Sequence, residues 1–280
     1  MHLYVISIYL CGRLIIIHSQ TATSLITNFI LMGKIKLSKI ETLAPKKFNK
    51  DQIKKELLKL KMKLEELQNL MYAESKHALL IVIQGMDASG KDGAVRNVFE
   101  SVNPMGCRVV SFKEPSLLES KHDFLWRIHQ QAPEKGVMTV FNRSHYEDVL
   151  VQRVHKWVDS KTISRRFDHI NNFERLLTES GTSILKFYLH ISKQEQLERL
   201  EERLSDKTKM WKYNENDIKE RKHWNDYMKA YEDVFENCSV YAPWHIVPSD
   251  QNWYKEYVIA KKIVETMEGF RMKFPGLKKK

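Results

Sequence analysis

The stretch ALLIVIQGMDASGKDGAVRNVFESV, residues 78–102, decides the fold. Residues 78–83 are an unbroken apolar run, residues 85–93 set Gly85, Gly90 and Gly93 around Lys91, and residues 94–102 carry the pattern of a helix. Strand, glycine loop and helix in that order form the P-loop, or Walker A, arrangement, in which backbone N–H groups and a helix N-terminus wrap a phosphate and the lysine neutralises it. One position departs from the rule: Asp92 stands where most P-loops carry the Ser or Thr that holds Mg²⁺, and a second acid, Asp87, lies inside the loop. Two carboxylates beside a polyanion site repel the ligand unless metal ions lie between them. The pattern therefore predicts a Mg²⁺-dependent phosphoryl-transfer site rather than a passive phosphate cradle or a structural glycine turn.

Composition narrows the rest. A chain of 280 residues that is 42% hydrophobic can bury one sizeable core. A formal charge of +11 and a pI near 9.3 point to an anion larger than one nucleotide phosphate, and both nucleic acid and polyphosphate qualify. Cys11, Cys107 and Cys238 are spaced for neither a disulfide framework nor a zinc site, which leaves a reducing cytoplasm as the simplest setting.

Outward from the loop, further apolar runs at 108–112, 137–141, 184–191 and 244–247 read as strands separated by helical segments. The expected fold is α/β: a P-loop kinase-like three-layer sandwich with a five-stranded parallel sheet, helices on both faces and a helical lid. Residues 49–73 place Ile53, Leu57, Leu60, Leu64, Leu67 and Met71 at steps of four and three, an amphipathic helix whose narrow stripe suits core packing better than a subunit interface. Residues 1–44 read as an N-terminal extension outside the native fold. Arg13 interrupts their first apolar run, no basic residue precedes it, and it is too short to span a bilayer, so translation is expected to begin at Met32, with a weak membrane or targeting segment as the alternative. Residues 45–270 form the P-loop domain, with a lid at about 194–231. Residues 271–280 are a basic tail.

Lys113 follows the second strand of the sheet, on the edge where open parallel sheets bind ligands, and is expected to meet phosphate. The third ends in Asn142-Arg143-Ser144-His145-Tyr146-Glu147-Asp148. A P-loop fold places its second metal- and phosphate-binding cluster there; Asn142 replaces the usual acid, so a metal must lean on Asp87, Asp92, Glu147 or Asp148. His145 reads as a hydrogen-bonded structural histidine. In the lid, Arg199 and Arg203 stand one helical turn apart and could face one anion, while Trp211, Trp224, Tyr227 and Tyr231 would anchor the segment to the core.

These motifs resemble the polyphosphate kinase 2 family over about residues 45–270. The resemblance rests on residues 85–93, residues 141–148, and Lys209-Met210-Trp211-Lys212 followed by Asp217, Arg221, Trp224 and Tyr227. It implies transfer of the terminal phosphate of inorganic polyphosphate to a nucleotide with Mg²⁺, and assembly into homodimers or homotetramers. Asn142-Arg143-Ser144-His145-Tyr146-Glu147 is similar to the branch that phosphorylates both AMP and ADP. The resemblance implies that Asp87, Lys91 and Arg143 are essential and that Arg199 and Arg203 belong to the lid; the catalytic set is read as Asp87, Lys91, Arg143 and Arg203, and the metal ligands as Asp87 and Asp148. Nucleotide and phosphate would be held by Gly85, Gly90, Asp92, Gly93, Lys113, Asn142, Glu147, Arg199, Lys209, Lys212 and Arg221. Neither nucleic acid nor a membrane is an expected partner. Two other readings stand beside this one. An ATP-dependent nucleoside or nucleoside-monophosphate kinase would share fold and lid, but Asp92 argues against it. A non-catalytic P-loop protein that binds nucleic acid or another polyanion would need no paired acids in the loop.

Overall fold

The computed structural model describes residues 6–10, 13–17 and 34–276, in two compact units, Met1–Lys36 and Leu37–Lys280. The expected start at Met32 and the last four residues of the tail lie outside the described residues. In the first unit β1 (Ile6–Leu10) and β2 (Arg13–Ile17) pair antiparallel, with Ile6 opposite Ile17.

In the second unit every residue of β3 (Ala78–Gly85) is buried, as a strand covered on both faces requires. It is the centre of a sheet with β4 (Cys107–Ser111), β5 (Met138–Asn142), β6 (Thr182–His190) and β7 (Trp244–Pro248), in the order β4-β5-β3-β6-β7 and parallel throughout. The chain runs from β3 out to β4, returns through β5, and crosses to β6 on the far side. The strand order thus reverses at β3, the place where open α/β sheets bind ligands beyond their carboxyl ends. The register lines those ends up: Ile83 lies beside Asn142, and Gly85 beside Leu189.

One face of the sheet is covered by α1 (Lys50–Glu74), α2 (Lys91–Val98) and α9 (Asn252–Glu268). Leu64 and Met71 of α1, Ile81, Val140, Phe187, and Ile259 and Ile263 of α9 meet in one core. The α1 stripe is the one expected from its spacing, with Ile53, Leu57, Leu64, Leu67 and Met71 buried. Asn49 caps the helix by accepting from Asp51 N and Gln52 N. The other face carries α4 (Glu147–Val154), α5 (Ser160–Glu179) and α8 (Trp224–Asn237), packed through Tyr146, Phe173, Tyr188, Tyr231, Phe235 and Trp244. Here the core is aromatic and partly polar. Lys186, fully buried, donates to both Glu174 oxygens (2.8 and 2.7 Å), to Tyr146 Oη (2.7 Å) and to the Cys238 carbonyl (2.7 Å).

A buried ion pair broken on one side leaves the other charge without compensation. Lys186→Met is therefore expected to cost about 3–5 kcal/mol of stability. Urea denaturation measures it; a loss of under about 1 kcal/mol, the range of an exposed pair, would show that the network carries little.

The domain boundary drawn at residue 45 moves. Leu37 is buried, its N–H donates to Glu232 Oε1 (2.8 Å), and its carbonyl and that of Ile40 each lie 3.1 Å from His190 Nε2. Thr42 Oγ1 donates to Asp250 Oδ2 (2.7 Å), and Ala44 N to Gln251 Oε1 (3.1 Å). Residues 37–44 are thus a strap on the core, held by backbone groups that hydropathy does not register.

Candidate active site

The phosphate loop leaves β3 at Gly85 and enters α2 through Gly90, at φ 90°. The backbone angle at Gly90 favours glycine, and a Cβ there would come to 2.2 Å from Lys255 Nζ and push that side chain aside. Lys91 is buried and donates to the Gly85 and Met86 carbonyls (2.7 and 3.0 Å). Burial, reinforced by Arg143, lowers its pKa to about 8 despite Asp87 and Glu147.

Across the cleft, Arg143 follows β5 with φ 63°, a left-handed conformation that costs a non-glycine residue of order 1 kcal/mol and accumulates at functional sites. The strain is held on two sides. The Arg143 N–H donates to the Ile83 carbonyl (3.1 Å), and Nη2 donates to Asp87 Oδ1 (2.6 Å). This turn aims the guanidinium over the loop. Burial opposes its charge, and Asp87 and Glu147 more than offset that. Asn142 Nδ2 donates to Asp92 Oδ1 (2.8 Å), and Lys212 Nζ lies 3.4 Å from Asp92 Oδ2. The Asn142 amide and then Lys212 outweigh burial and hold the Asp92 carboxyl below its ordinary value.

The lid comprises α6 (Lys193–Ser205), the turn Met210–Lys212, α7 (Glu215–Glu220) and the turn Arg221–His223 leading into α8. It reaches the loop by a relay: Arg221 Nη1 donates to Gln196 Oε1 (2.7 Å), and Gln196 Nε2 donates to the Asp87 carbonyl (2.9 Å). The cleft so enclosed, lined by Asp87, Arg143, Glu147, Gln196, Glu220 and Tyr227 among others, is only about 40 Å³. That is space for roughly one water.

Several expected site residues sit elsewhere. Arg199 does not share an anion with Arg203: its guanidinium donates to the carbonyls of Ala88 (3.2 Å), Ser249 (2.8 Å) and Asp250 (2.9 Å), pinning the loop from behind. Arg203 donates to Asp217 Oδ2 (2.6 Å) and the Lys212 carbonyl (3.3 Å), bracing the lid. Asp148, expected to share a metal with Asp87, faces away from the loop. Its Oδ1 accepts from Gln152 Nε2 (2.6 Å), it lines a separate cavity, and burial raises its pKa to about 6 against the pull of Arg166. Lys209 is bound to Glu202 (2.6 Å) and lies 3.4 Å from Asp206, within its own turn, and Lys113 is exposed. Tyr227 and Tyr231 anchor the lid as expected; Trp211, 77% exposed, does not. His145 is structural but not hydrogen-bonded: both ring nitrogens are buried without a partner, and burial drives its pKa to about 3, so it stays neutral.

The sequence reading missed Gln196, Asn252 and Lys255. Lys255 is fully buried behind the loop, donating to Asn252 Oδ1 (2.8 Å) and the Gly90 carbonyl (3.3 Å); burial, then Arg199, brings its pKa down to about 7. Its one signal was position, one turn into the helix that follows the last strand.

A family model described as polyphosphate kinase 2 matches residues 47–275. The chain is 50% identical over 217 residues to the AMP/ADP-polyphosphate phosphotransferase of Meiothermus ruber, covering 77% of this chain and 81% of that one. Over 234 residues it is 43% identical to the ADP-polyphosphate phosphotransferase of Rhodopseudomonas palustris, with 79% and 81% covered. The crystal structure of polyphosphate kinase 2 from Arthrobacter aurescens superposes with a TM-score of 0.86 at 39% identity, over 89% of this chain and 91% of that one. With its loop, its Arg143 turn and its lid on this sheet, the chain belongs to the polyphosphate kinase 2 family.

Proposed function

We propose that the protein transfers the terminal phosphate of inorganic polyphosphate to AMP and to ADP. The observation that carries this reading is the meeting of Asp87, Arg143 and Glu147 in one cleft with the phosphate loop, in a chain half identical to a relative of that name. An oxygen of the acceptor's terminal phosphate attacks the end phosphorus of the chain in line, and no covalent enzyme intermediate is needed. Lys91 and the loop amides hold the transferring group, Arg143 neutralises the charge spreading over its oxygens, and Glu147 orients the acceptor. Lys212, drawn in by Asp92, closes the lid side, and Arg203 and Arg221 hold the lid in shape. The cationic surface suits a donor bearing about one negative charge per repeating unit.

Among the described residues no group of three or more His, Cys, Asp or Glu is arranged to hold a metal ion. Mg²⁺ typically binds through one or two carboxylates and substrate phosphates rather than a protein cage, and Asp87 and Asp92 are the two carboxylates of the phosphate loop and its helix start. Asp87 and Asp92 would hold it, and it would supply neutralisation of the charge on the phosphates. We further propose a homodimer or homotetramer in a reducing compartment. No helix among the described residues is long and apolar enough to cross a membrane.

The test offers polyphosphate or ATP as donor to AMP and to ADP, with and without Mg²⁺. Polyphosphate-dependent formation of ADP and then ATP, abolished by chelation, is the expected result. Transfer from ATP alone, or no activity on AMP, would overturn the reading.

A further inference from the structure

The buried lysines and arginines among the described residues are Lys91, Arg127, Lys186 and Lys255. Lys186 has Glu174 against it, and Arg127, on the short helix α3 (Trp126–His129), donates to the Lys113 carbonyl (2.9 Å) with Glu119 at 3.9 Å. Lys91 and Lys255 have only neutral oxygens as hydrogen-bond partners: the Gly85 and Met86 carbonyls for the first, the Gly90 carbonyl (3.3 Å) and Asn252 Oδ1 (2.8 Å) for the second. A buried ammonium without a counter-charge is costly enough to favour shedding its proton. For Lys91 the counter-charge is the phosphate that the loop is built to receive. Lys255 stands on the other side of the same peptide. The Gly90 carbonyl turns toward Lys255 Nζ and Ala94 N (3.0 Å), so in a trans peptide the Lys91 N–H turns the opposite way, and as a first-turn donor it has no helix carbonyl to reach.

We propose that Lys255 is a positioning residue for the phosphate donor: acting through the Gly90–Lys91 peptide, its ammonium is kept charged by the phosphates held on the far side, so that polyphosphate binding and protonation of Lys255 favour each other. The inference rests on polyphosphate being the donor that the loop holds. The surroundings of Nζ support it. From α6 comes Arg199, whose Nη1 shares with Lys255 Nζ the space into which a Gly90 side chain would project, and from α2 comes Lys91. Both are like charges, and the positive end of α2 is a third unfavourable neighbour. The carboxylates that face it are turned to other partners: Glu195 Oε1 accepts from Arg199 Nε (2.7 Å), and Glu256, on α9 itself, accepts through Oε1 from Asn97 Nδ2 (2.7 Å). Burial first, then Arg199 and Lys91, bring the pKa of Lys255 down to about 7 against the pull of Glu256 and Glu195. A polyanion on the loop reverses that balance. Its charge reaches Lys255 across the loop backbone, where the lysine is fully buried and little water screens it. The ammonium in turn polarises the Gly90 carbonyl and strengthens the Lys91 N–H as a donor to phosphate. The proton comes from solvent, and no covalent bond to the donor forms or breaks. Linkage makes the effect reciprocal: the factor by which the donor favours the proton is the factor by which the proton favours the donor.

The test is binding of inorganic polyphosphate to the full chain, by calorimetry with Mg²⁺ and without acceptor, at about pH 6 and about pH 9, and at about pH 7.5 in two buffers of different ionisation enthalpy. Two variants separate charge from shape. Lys255→Met keeps the length and loses the charge, whereas Lys255→Gln keeps an N–H donor for the Gly90 carbonyl without the charge; thermal melts establish that each is folded. Below about pH 7 wild-type Lys255 is charged whether free or bound, so both variants should bind polyphosphate about tenfold more weakly than wild type, the order expected of one charge near a polyanion at an effective dielectric constant of about 20. Above that pH wild type takes up a proton in order to bind, so the gap should close by about pH 9. At about pH 7.5 wild type should take up about half a proton more per donor bound than either variant, which follows from the tenfold linkage. Variants that match wild type at about pH 6, affinity restored by glutamine, a gap that does not change with pH, or equal proton uptake in all three proteins would overturn the inference and leave polyphosphate standing as the donor. Failure of wild type to bind polyphosphate at either pH would sink both.

Discussion

Lys91→Ala is expected to lower turnover at least about 100-fold, the scale of losing a charge-stabilising donor at a transferring group, with no loss of fold stability. The two halves of this expectation have one cause. Lys91 keeps its ammonium among loop carbonyls, away from water, and burial lowers its pKa from 10.5 to about 8. A base whose pKa is lowered on folding works against folding while protonated. Between about pH 8 and 10.5 the unfolded chain holds the proton and the folded one does not, so this site makes stability rise with pH there. Removing the lysine relieves that cost; removing it from the chemistry takes away the cation that faces the phosphate. The same shift sets the pH profile of wild type. Above about pH 8 the free enzyme loses this charge, so kcat/KM should fall; a bound polyanion favours the charged lysine, so the limb in kcat lies higher. Lys255, with its pKa near 7, begins to lose its charge earlier and broadens the lower part of the fall. A variant retaining more than a tenth of wild-type turnover, or a kcat/KM flat to pH 10, would remove Lys91 from this role.

What the sequence disclosed and what it withheld divide along a physical line. Strands and the loop are local: β3 is an apolar run that ends in glycines, and β5 one that ends in Asn142-Arg143-Ser144, so turn chemistry and hydropathy place them without reference to the rest. Which side of a helix meets the site is not local. Glu147 and Asp148 are neighbours about 100° apart around α4, and only the packing of that helix against α5 and α8 turns the first toward the loop and the second toward the cavity. Arg199 and Arg203 pose the same problem at a spacing of one turn. Both can point one way, but Arg199 finds three carbonyls behind the loop and stays there. Lys255 was the hardest to see, because a lysine on a helix reads as solvated until the helix is known to bury it. The strap at 37–44 was missed for another reason: its hold on the core is largely through backbone groups and polar side chains, which carry no periodicity.

Arg143→Gly is expected to abolish turnover, again by at least about 100-fold, yet to leave a protein no less stable than Arg143→Ala. The activity argument is geometric. Arg143, beside the Asn142–Asp92 bond, joins the two halves of the site by reaching from the end of β5 to Asp87 in the loop, and a planar, permanently charged fork is suited to phosphate oxygens in a way that a lysine is not. Arg143→Lys should therefore remain severely impaired. The stability argument runs the other way. At φ 63° any residue with a Cβ is strained by about 1–2 kcal/mol, which glycine escapes, while glycine gives up roughly 0.5–1 kcal/mol through its freer unfolded chain. Alanine keeps the strain and loses the ion pair with Asp87. The glycine variant should thus equal or exceed the alanine variant by up to about 1.5 kcal/mol, the margin left after those two terms. Urea denaturation of both, beside kcat for polyphosphate-dependent phosphorylation of AMP, measures the two effects on the same proteins. An alanine variant clearly more stable than the glycine one would mean that the turn at Arg143 stores no strain. A glycine variant that keeps substantial activity would mean that the guanidinium is not what the strain is there to position.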